Sequence, residues 1–218
     1  MQKEYDALCR RGTWELEPRR NIPPGSKIIR SVWSFKVKTK DGKWSADKSR
    51  GCADGRYQTQ GVDYTDNYAP ATKLSTVRMT QALVAENDFT SRQLDIDNAF
   101  LYGRIEDGIT LYMWPLPGFE EYDIYWDDER NAWACDLLVP HLVMGLYGLV
   151  QSALLFNIEL VKFFVDYGFT QCLKEPCVFV KKDASMHLIV PTLVDDLLPA
   201  NQLLHSTGSR STSPRYSM

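Results

Sequence analysis

Two apolar stretches of this 218-residue chain end in clustered aspartates, Leu94-Asp95-Ile96-Asp97 and Leu193-Val194-Asp195-Asp196, and any fold has to accommodate them. At strand ends these carboxylates are costly unless a hydrogen bond or a positive charge answers them. Hard divalent cations do this best, because Mg²⁺ takes one or two carboxylates together with substrate phosphates. Two such ions about 4 Å apart clamp the attacking and leaving oxygens of an in-line phosphoryl transfer. Aspartate is also a common turn residue, so either fragment by itself reads first as a strand-to-turn cap.

Composition narrows the class. With 44% hydrophobic and 24% charged residues, 13 Gly and 11 Pro, the chain reads as an ordinary globular protein, neither disordered throughout nor collagen-like. Five cysteines without a Cys-x-x-Cys pair, and three histidines (141, 187, 205) at no zinc spacing, read as reduced thiols. No apolar run approaches the roughly 18 residues of a membrane span, and the first residues lack a signal-peptide core. The expectation is an intracellular protein, cytoplasmic or nuclear, with no membrane partner. Charge is uneven: residues 1–56 hold 14 Lys and Arg against 7 acids, and 57–218 hold 11 against 21. A basic lobe beside an acidic one fits a polyanion on the first and cations on the second, although a solvated basic face gives the same count.

Along the chain, 3–11 has helical character, ended at Gly12. Lys27 to Lys38 is rich in β-branched and aromatic residues, Asp41-Gly42 reads as a hairpin turn, and the returning strand carries Lys48, Arg50 and Arg56. That ribbon, with bases on or near its tip, suits polyphosphate. A helix is expected over 74–87, with apolar positions at Leu74, Val77, Ala82, Leu83 and Val84 and a cap at Ser75 or Thr76. A strand follows over 92–96. The nine acids between 106 and 136 read as a surface excursion. A helix over 151–167 stops at Gly168, two antiparallel strands joined near Lys181-Lys182-Asp183 follow, and 201–218 reads as a disordered serine-rich tail.

In chain order the sequence also resembles the reverse transcriptase of copia-type retrotransposons. Glu4-Tyr5-x-Ala7-Leu8 with Thr13-Trp14-Glu15-Leu16 is similar to the family's opening, and Val32-Trp33-x-Phe35-x-Val37-Lys38 with Asp41-Gly42 to its first hairpin. Lys48-x-Arg50 stands at its Lys-Ala-Arg, and Gln60-Gly61-Val62-Asp63-Tyr64 through Tyr68-Ala69-Pro70 follows closely. Gln93-Leu94-Asp95-Ile96-x-x-Ala99-Phe100-Leu101-x-Gly103 resembles the first catalytic motif, Gly145-Leu146-Tyr147-Gly148-Leu149-x-Gln151-Ser152 the nucleotide-contacting motif, and Val194-Asp195-Asp196 the aspartate turn. Each match alone is weak; their order over residues 1–198 is specific.

The resemblance implies an α+β fold of right-hand polymerase fingers and partial palm, with a small antiparallel sheet packed by helices. Fingers fall at roughly 14–87 and 118–150, palm at roughly 88–117 and 151–200, within one reverse transcriptase region over 1–200. It implies RNA-directed DNA synthesis, with Asp95, Asp195 and Asp196 as catalytic residues. These, with the Ile96 carbonyl, would hold two Mg²⁺ or Mn²⁺ ions. Lys48 and Arg50 would hold the incoming deoxynucleoside triphosphate, Gln151 would meet its sugar, and Phe100 would crowd a 2′-hydroxyl. The implied partner is an RNA or DNA template-primer. The sequence departs from the family at Val150, Leu154, Phe156, Leu193 and Gly51-Cys52-Ala53. Pro191, in the strand before the second aspartate pair, would remove a ladder donor, and a shift of about 1 Å there costs on the order of a hundredfold in rate. With no thumb recognisable, the expectation is a truncated or degenerate copy, the alternative being a catalytically inactive nucleic-acid-binding remnant.

Overall fold

A computed structural model describes residues 1–182 and 186–203 and shows an α+β chain with few helices and mixed sheets. In chain order the elements are α1 (Gln2–Arg10), β1 (Trp14–Pro18), β2 (Ile28–Ile29), β3 (Ser31–Lys40), β4 (Lys43–Ala53), α2 (Leu74–Glu86), β5 (Thr90–Ser91) and β6 (Leu94–Asp95). Then come β7 (Leu111–Met113), β8 (Tyr122–Asp127), β9 (Ala132–Leu142), α3 (Ser152–Asp166), β10 (Thr170–Gln171), β11 (Val178–Lys182), β12 (Met186–Leu193), β13 (Asp196–Leu197) and β14 (Ala200–Leu203). Among the described residues no helix is long and apolar enough to cross a membrane. The chain forms two compact units, Met1–Ala69 with Asp97–Leu160, and Pro70–Ile96 with Val161–Met218.

The first unit is built on a sheet of order β1-β9-β7-β2, in which β2 runs parallel to β7 and the other neighbours are antiparallel. Leu8 of α1, Ile29, Met113, Leu116, Leu142 and Leu146 are among its most deeply buried apolar side chains. The acidic stretch 106–136 is therefore a surface excursion only over 117–136, where no residue is fully buried. Its acids flank Leu111–Met113, which is buried on every residue as β7, because charge count along a window hides a short apolar strand inside it. Beyond the sheet, β8 and the first half of β9 form one antiparallel hairpin, and β3 and β4 form another. The β3–β4 turn is Asp41-Gly42 with φ of 52° and 73°; positive φ at both central residues is the hairpin turn that Asp-Gly favours.

The second unit is a sheet of order β10-β11-β12-β13-β6, with β14 pairing β12 and β5. Phe179 of β11 is fully buried and stacks on Phe164 of α3 at 4.2 Å. On α2 the residues facing inward are Thr76 and Thr80, while Leu74 and Leu83 are exposed. Neither Ser75 nor Thr76 is the cap. Lys73 occupies that position without a side-chain bond, and the Thr76 hydroxyl donates instead to Glu175 at 2.9 Å. Both hydroxyls are satisfied, since that of Thr80 donates to the Thr76 carbonyl at 2.9 Å, so this face buries without an orphaned polar group. Of the tail expected over 201–218, residues 201–203 belong to β14 and 204–218 lie outside the described residues, as does Asp183 of the expected β11–β12 connection.

Candidate active site

The second unit carries the aspartates. β12 turns into β13 through Val194-Asp195, pairing Leu193 with Asp196, and β13 pairs in turn with β6, setting Asp196 opposite Asp95. The Ile96 N–H donates to the Asp195 carbonyl at 2.9 Å. In an antiparallel ladder that bond makes Asp95 and Asp196 a non-hydrogen-bonded pair, the position where facing side chains come closest. Two like charges directly opposite destabilise a sheet. The partner found for them is Gln93, whose Nε2 donates to Asp196 Oδ1 at 3.0 Å. Val194 sits at φ 56°, a region sterically costly for a β-branched residue. Such local strain persists where the surroundings over-determine it.

Pro191 is interior to this sheet, not at an edge. The Thr192 N–H donates to the Cys177 carbonyl at 2.8 Å, so Pro191, paired with Val178, turns its nitrogen away from β11. On its other side the chain passes from β13 to β14 through Leu198-Pro199, and Pro191 contributes only its carbonyl, accepting from the Leu198 N–H at 3.0 Å. That bond marks Pro191 and Leu198 as the next hydrogen-bonded position after Thr192–Leu197, so the proline removes the reciprocal donor and the β12–β13 ladder ends there.

The donor set suits a hard cation in kind. Asp95 and Asp196 offer carboxylate oxygens on one face of the sheet, and oxygen ligands are what Mg²⁺ and Mn²⁺ take. Among the described residues no three acidic, histidine or cysteine side chains converge on one point, so two carboxylates, not a preformed cage, are what the fold presents.

The first unit carries the other four residues. Lys48 faces Lys36 across the β3–β4 ribbon, and Arg50 faces Ser34, so Lys48 lies midway along the hairpin and Arg50 toward its root, neither at the tip. Arg56 lies beyond β4, its guanidinium held by Asp54 at 2.8 Å. The Arg50 guanidinium lies 4.8 Å over the Tyr147 ring, and its Nε is buried without a hydrogen-bond partner. Phe100 meets the same ring edge-on at 5.3 Å and also packs edge-on with Phe156 at 6.5 Å. Tyr147 thus joins Arg50 to Phe100, a role that its place inside an apolar glycine-rich motif does not announce.

Gln151 is 2% exposed. Its Oε1 accepts from Gln58 Nε2 at 2.9 Å and its Nε2 donates to the Asp63 carbonyl at 3.2 Å. Gln58 Oε1 accepts in turn from the Val150 N–H at 2.8 Å. The Asp63 carboxylate, also buried, accepts from Lys27 at 2.8 Å and from the Thr59 N–H at 2.6 Å. This polar chain pins the 54–64 loop against the 145–152 segment. Asp63 and Gln151 fall in two separate motifs of the sequence, but spacing alone carries no sign that they touch.

Residues 12–205 match the family model described as reverse transcriptase (RNA-dependent DNA polymerase). The retrovirus-related Pol polyprotein from transposon RE1 of Arabidopsis thaliana is 30% identical over 224 residues, covering 100% of this chain and 14% of that polyprotein. That from transposon TNT 1-94 of Nicotiana tabacum is 30% identical over 201 residues, 91% of this chain and 14% of the relative. The truncated transposon Ty1-A Gag-Pol polyprotein of Saccharomyces cerevisiae is 29% identical over 206 residues, 88% of this chain and 15% of the relative. The chain thus spans about a seventh of the length of these relatives. No solved structure matches it.

Proposed function

We propose, for a chain that belongs to the reverse transcriptase (RNA-dependent DNA polymerase) family in its copia-type retrotransposon branch, that it serves as the fingers and partial palm of an RNA-directed DNA polymerase. The observation that carries this is the register setting Asp95 opposite Asp196 with Asp195 on the adjoining turn. Two facing carboxylates answered by the single amide of Gln93 cost a sheet stability, and such a cost is typical of sites kept for chemistry. Asp95, Asp195 and Asp196, with the Ile96 carbonyl, would hold two Mg²⁺ or Mn²⁺ ions. When bound, the ions supply charge stabilisation at the attacking and leaving oxygens of nucleotidyl transfer.

The chain's own residues do the rest. Lys48 and Arg50 donate charge-assisted hydrogen bonds to the triphosphate of a deoxynucleotide, and the orphaned Arg50 Nε is a donor still to be satisfied. Phe100, held edge-on by Tyr147 and Phe156, presents a rigid ring against a 2′-hydroxyl. Contact of Gln151 with the sugar requires its amide to exchange one of its two internal bonds. Template and primer, RNA or DNA, are held by backbone and shape.

Primer extension on an RNA template with deoxynucleotides and Mg²⁺ or Mn²⁺ tests the reading. Extension is expected from the parent chain and not from Asp195→Asn. A cooperatively folded chain that binds template-primer and extends nothing would refute it in favour of a binding remnant.

A further inference from the structure

α1 lays one face on β4, and the two meet at Gly51. A Cβ added there would stand 3.0 Å from Leu8 Cδ1, so the fully buried Leu8 sits directly against that residue. Glu4 is one turn earlier on the same face, since residues four apart on a helix are neighbours. Its side chain is therefore turned toward β4, where Arg50 and then Lys48 are the charges that act on it most strongly. An acid in a first helical turn ordinarily stays in water and favours the helix dipole from there. Glu4 instead is half-buried, and burial pushes its carboxyl above the ordinary value despite the two bases.

Among the described residues, the side-chain atoms buried without a hydrogen-bond partner are Glu4 Oε1 and Arg50 Nε. They belong to one acid and one base in the same corner of the fold, yet no ion pair joins the two residues. Each orphaned atom costs stability. The Arg50 guanidinium lies 4.8 Å over the Tyr147 ring, so the ring and the carboxylate both act on it. Lys48 adds a second cation on the same strand and faces a third, Lys36, across the ribbon.

We infer, resting on the reading of Lys48 and Arg50 as triphosphate ligands, that Glu4 is a positioning residue which holds the Arg50 guanidinium against Tyr147 and so presents its free N–H groups to a deoxynucleoside triphosphate. A guanidinium carries several N–H donors in a rigid fork, enough for a carboxylate and a phosphate at once. Held in this way, Arg50 has less rotamer freedom left to lose on binding. Glu4 also offsets the mutual repulsion of the bases before an anion arrives. Stability lost to a half-buried acid is a cost that functional sites carry. Charge alone predicts the opposite outcome: a carboxylate beside a triphosphate repels it, and its removal would tighten binding.

Equilibrium binding of a labelled deoxynucleoside triphosphate to the full chain with Mg²⁺ separates these, using the parent, Glu4→Gln and Arg50→Ala from neutral pH down through the raised Glu4 value. Glu4→Gln is expected to weaken binding on the order of tenfold. The same substitution should raise the melting temperature, so the loss is not one of folding. The deficit should narrow as pH falls, because the parent protonates Glu4 and the variant has no carboxylate to protonate. The other groups near Glu4 are Arg50, Lys48, the Met1 amine and the Cys52 thiol; both proteins contain them, so the comparison isolates Glu4. Binding by Glu4→Gln equal to or tighter than the parent's, while Arg50→Ala weakens it, overturns the inference and leaves the triphosphate reading standing. A deficit that ignores pH overturns it as well, since lost packing alone would produce that. A parent that binds no triphosphate, or binding indifferent to Arg50→Ala, overturns both.

Discussion

Replacing Gln151 by methionine keeps volume and chain length while deleting the amide that links the 54–64 loop to the 145–152 segment. Two hydrogen bonds vanish, one to Gln58 Nε2 and one to the Asp63 carbonyl. Each is worth about 1 kcal/mol net, and leaving the Asp63 carbonyl short of a donor adds a desolvation penalty of similar size, for a total of about 2–3 kcal/mol. In a chain of this length each kcal/mol moves the melting temperature by about 2–4 °C, so a fall of about 4–12 °C is expected. Thermal unfolding followed by circular dichroism reads this directly, with the apparent KM for deoxynucleotide measured on the same samples. A melting temperature within about 2 °C of the parent, beside a raised KM, would show that the amide belongs to the ligand and that the buried network is not structural. A fall in melting temperature with little change in KM is the expected pattern.

Three further outcomes are expected. Asp95→Asn without divalent ions should raise stability by about 0.2–1 kcal/mol by removing one of two facing charges, and added Mg²⁺ should stabilise the parent more than the variant; a melt that falls would contradict the register argument. Burial pushes the Glu4 carboxyl above its ordinary 4.5, against the lowering effect of Arg50 and Lys48, so the fold favours its neutral form and that contribution is lost as pH rises through the raised value. Glu4→Gln should therefore melt above the parent at pH 7 and converge with it below 4.5, and a gap that persists in acid would refute this. Gly148→Ala should unfold the first unit at ordinary temperature: Gly148 has φ 89° and a Cβ there would overlap the Ala53 carbonyl oxygen, where the Ala53 N–H donates to the Tyr147 carbonyl and the Gly55 N–H to the Gly148 carbonyl. A soluble variant with a native far-ultraviolet spectrum and a melt near the parent's would count against that packing.

Local chemistry made the hairpins and helices legible. Asp41-Gly42 has the positive-φ pair its residues favour, and the two long helices lie where apolar spacing places them. The family was legible as well, since ordered motifs survive substitutions between them. Misreadings arose where a local signal met a tertiary one. A window of acids concealed β7, whose burial depends on β2 and β9 arriving from residues far away in sequence. The inward face of α2 is threonine and not leucine, because satisfied hydroxyls and not hydropathy alone decide what can be buried there.

For the candidate site, the sequence by itself determined which side chains are present: the aspartates at two strand ends, Lys48 and Arg50 on a ribbon, Phe100 after the first aspartate motif. Only the tertiary structure decided who faces whom. Asp196 stands opposite Asp95 because β13 pairs with β6 in one register, and a slip of one residue would turn every side chain to the other face. Pro191 removes a donor only at the position where the β12–β13 ladder ends, leaving the β11 side intact, and Gln151 is consumed by Gln58 and Asp63. Such pairings join residues up to about a hundred positions apart, and they form only when the whole sheet or loop closes. No local preference encodes them, because a contact's free energy at that separation belongs to the closed fold and not to either segment.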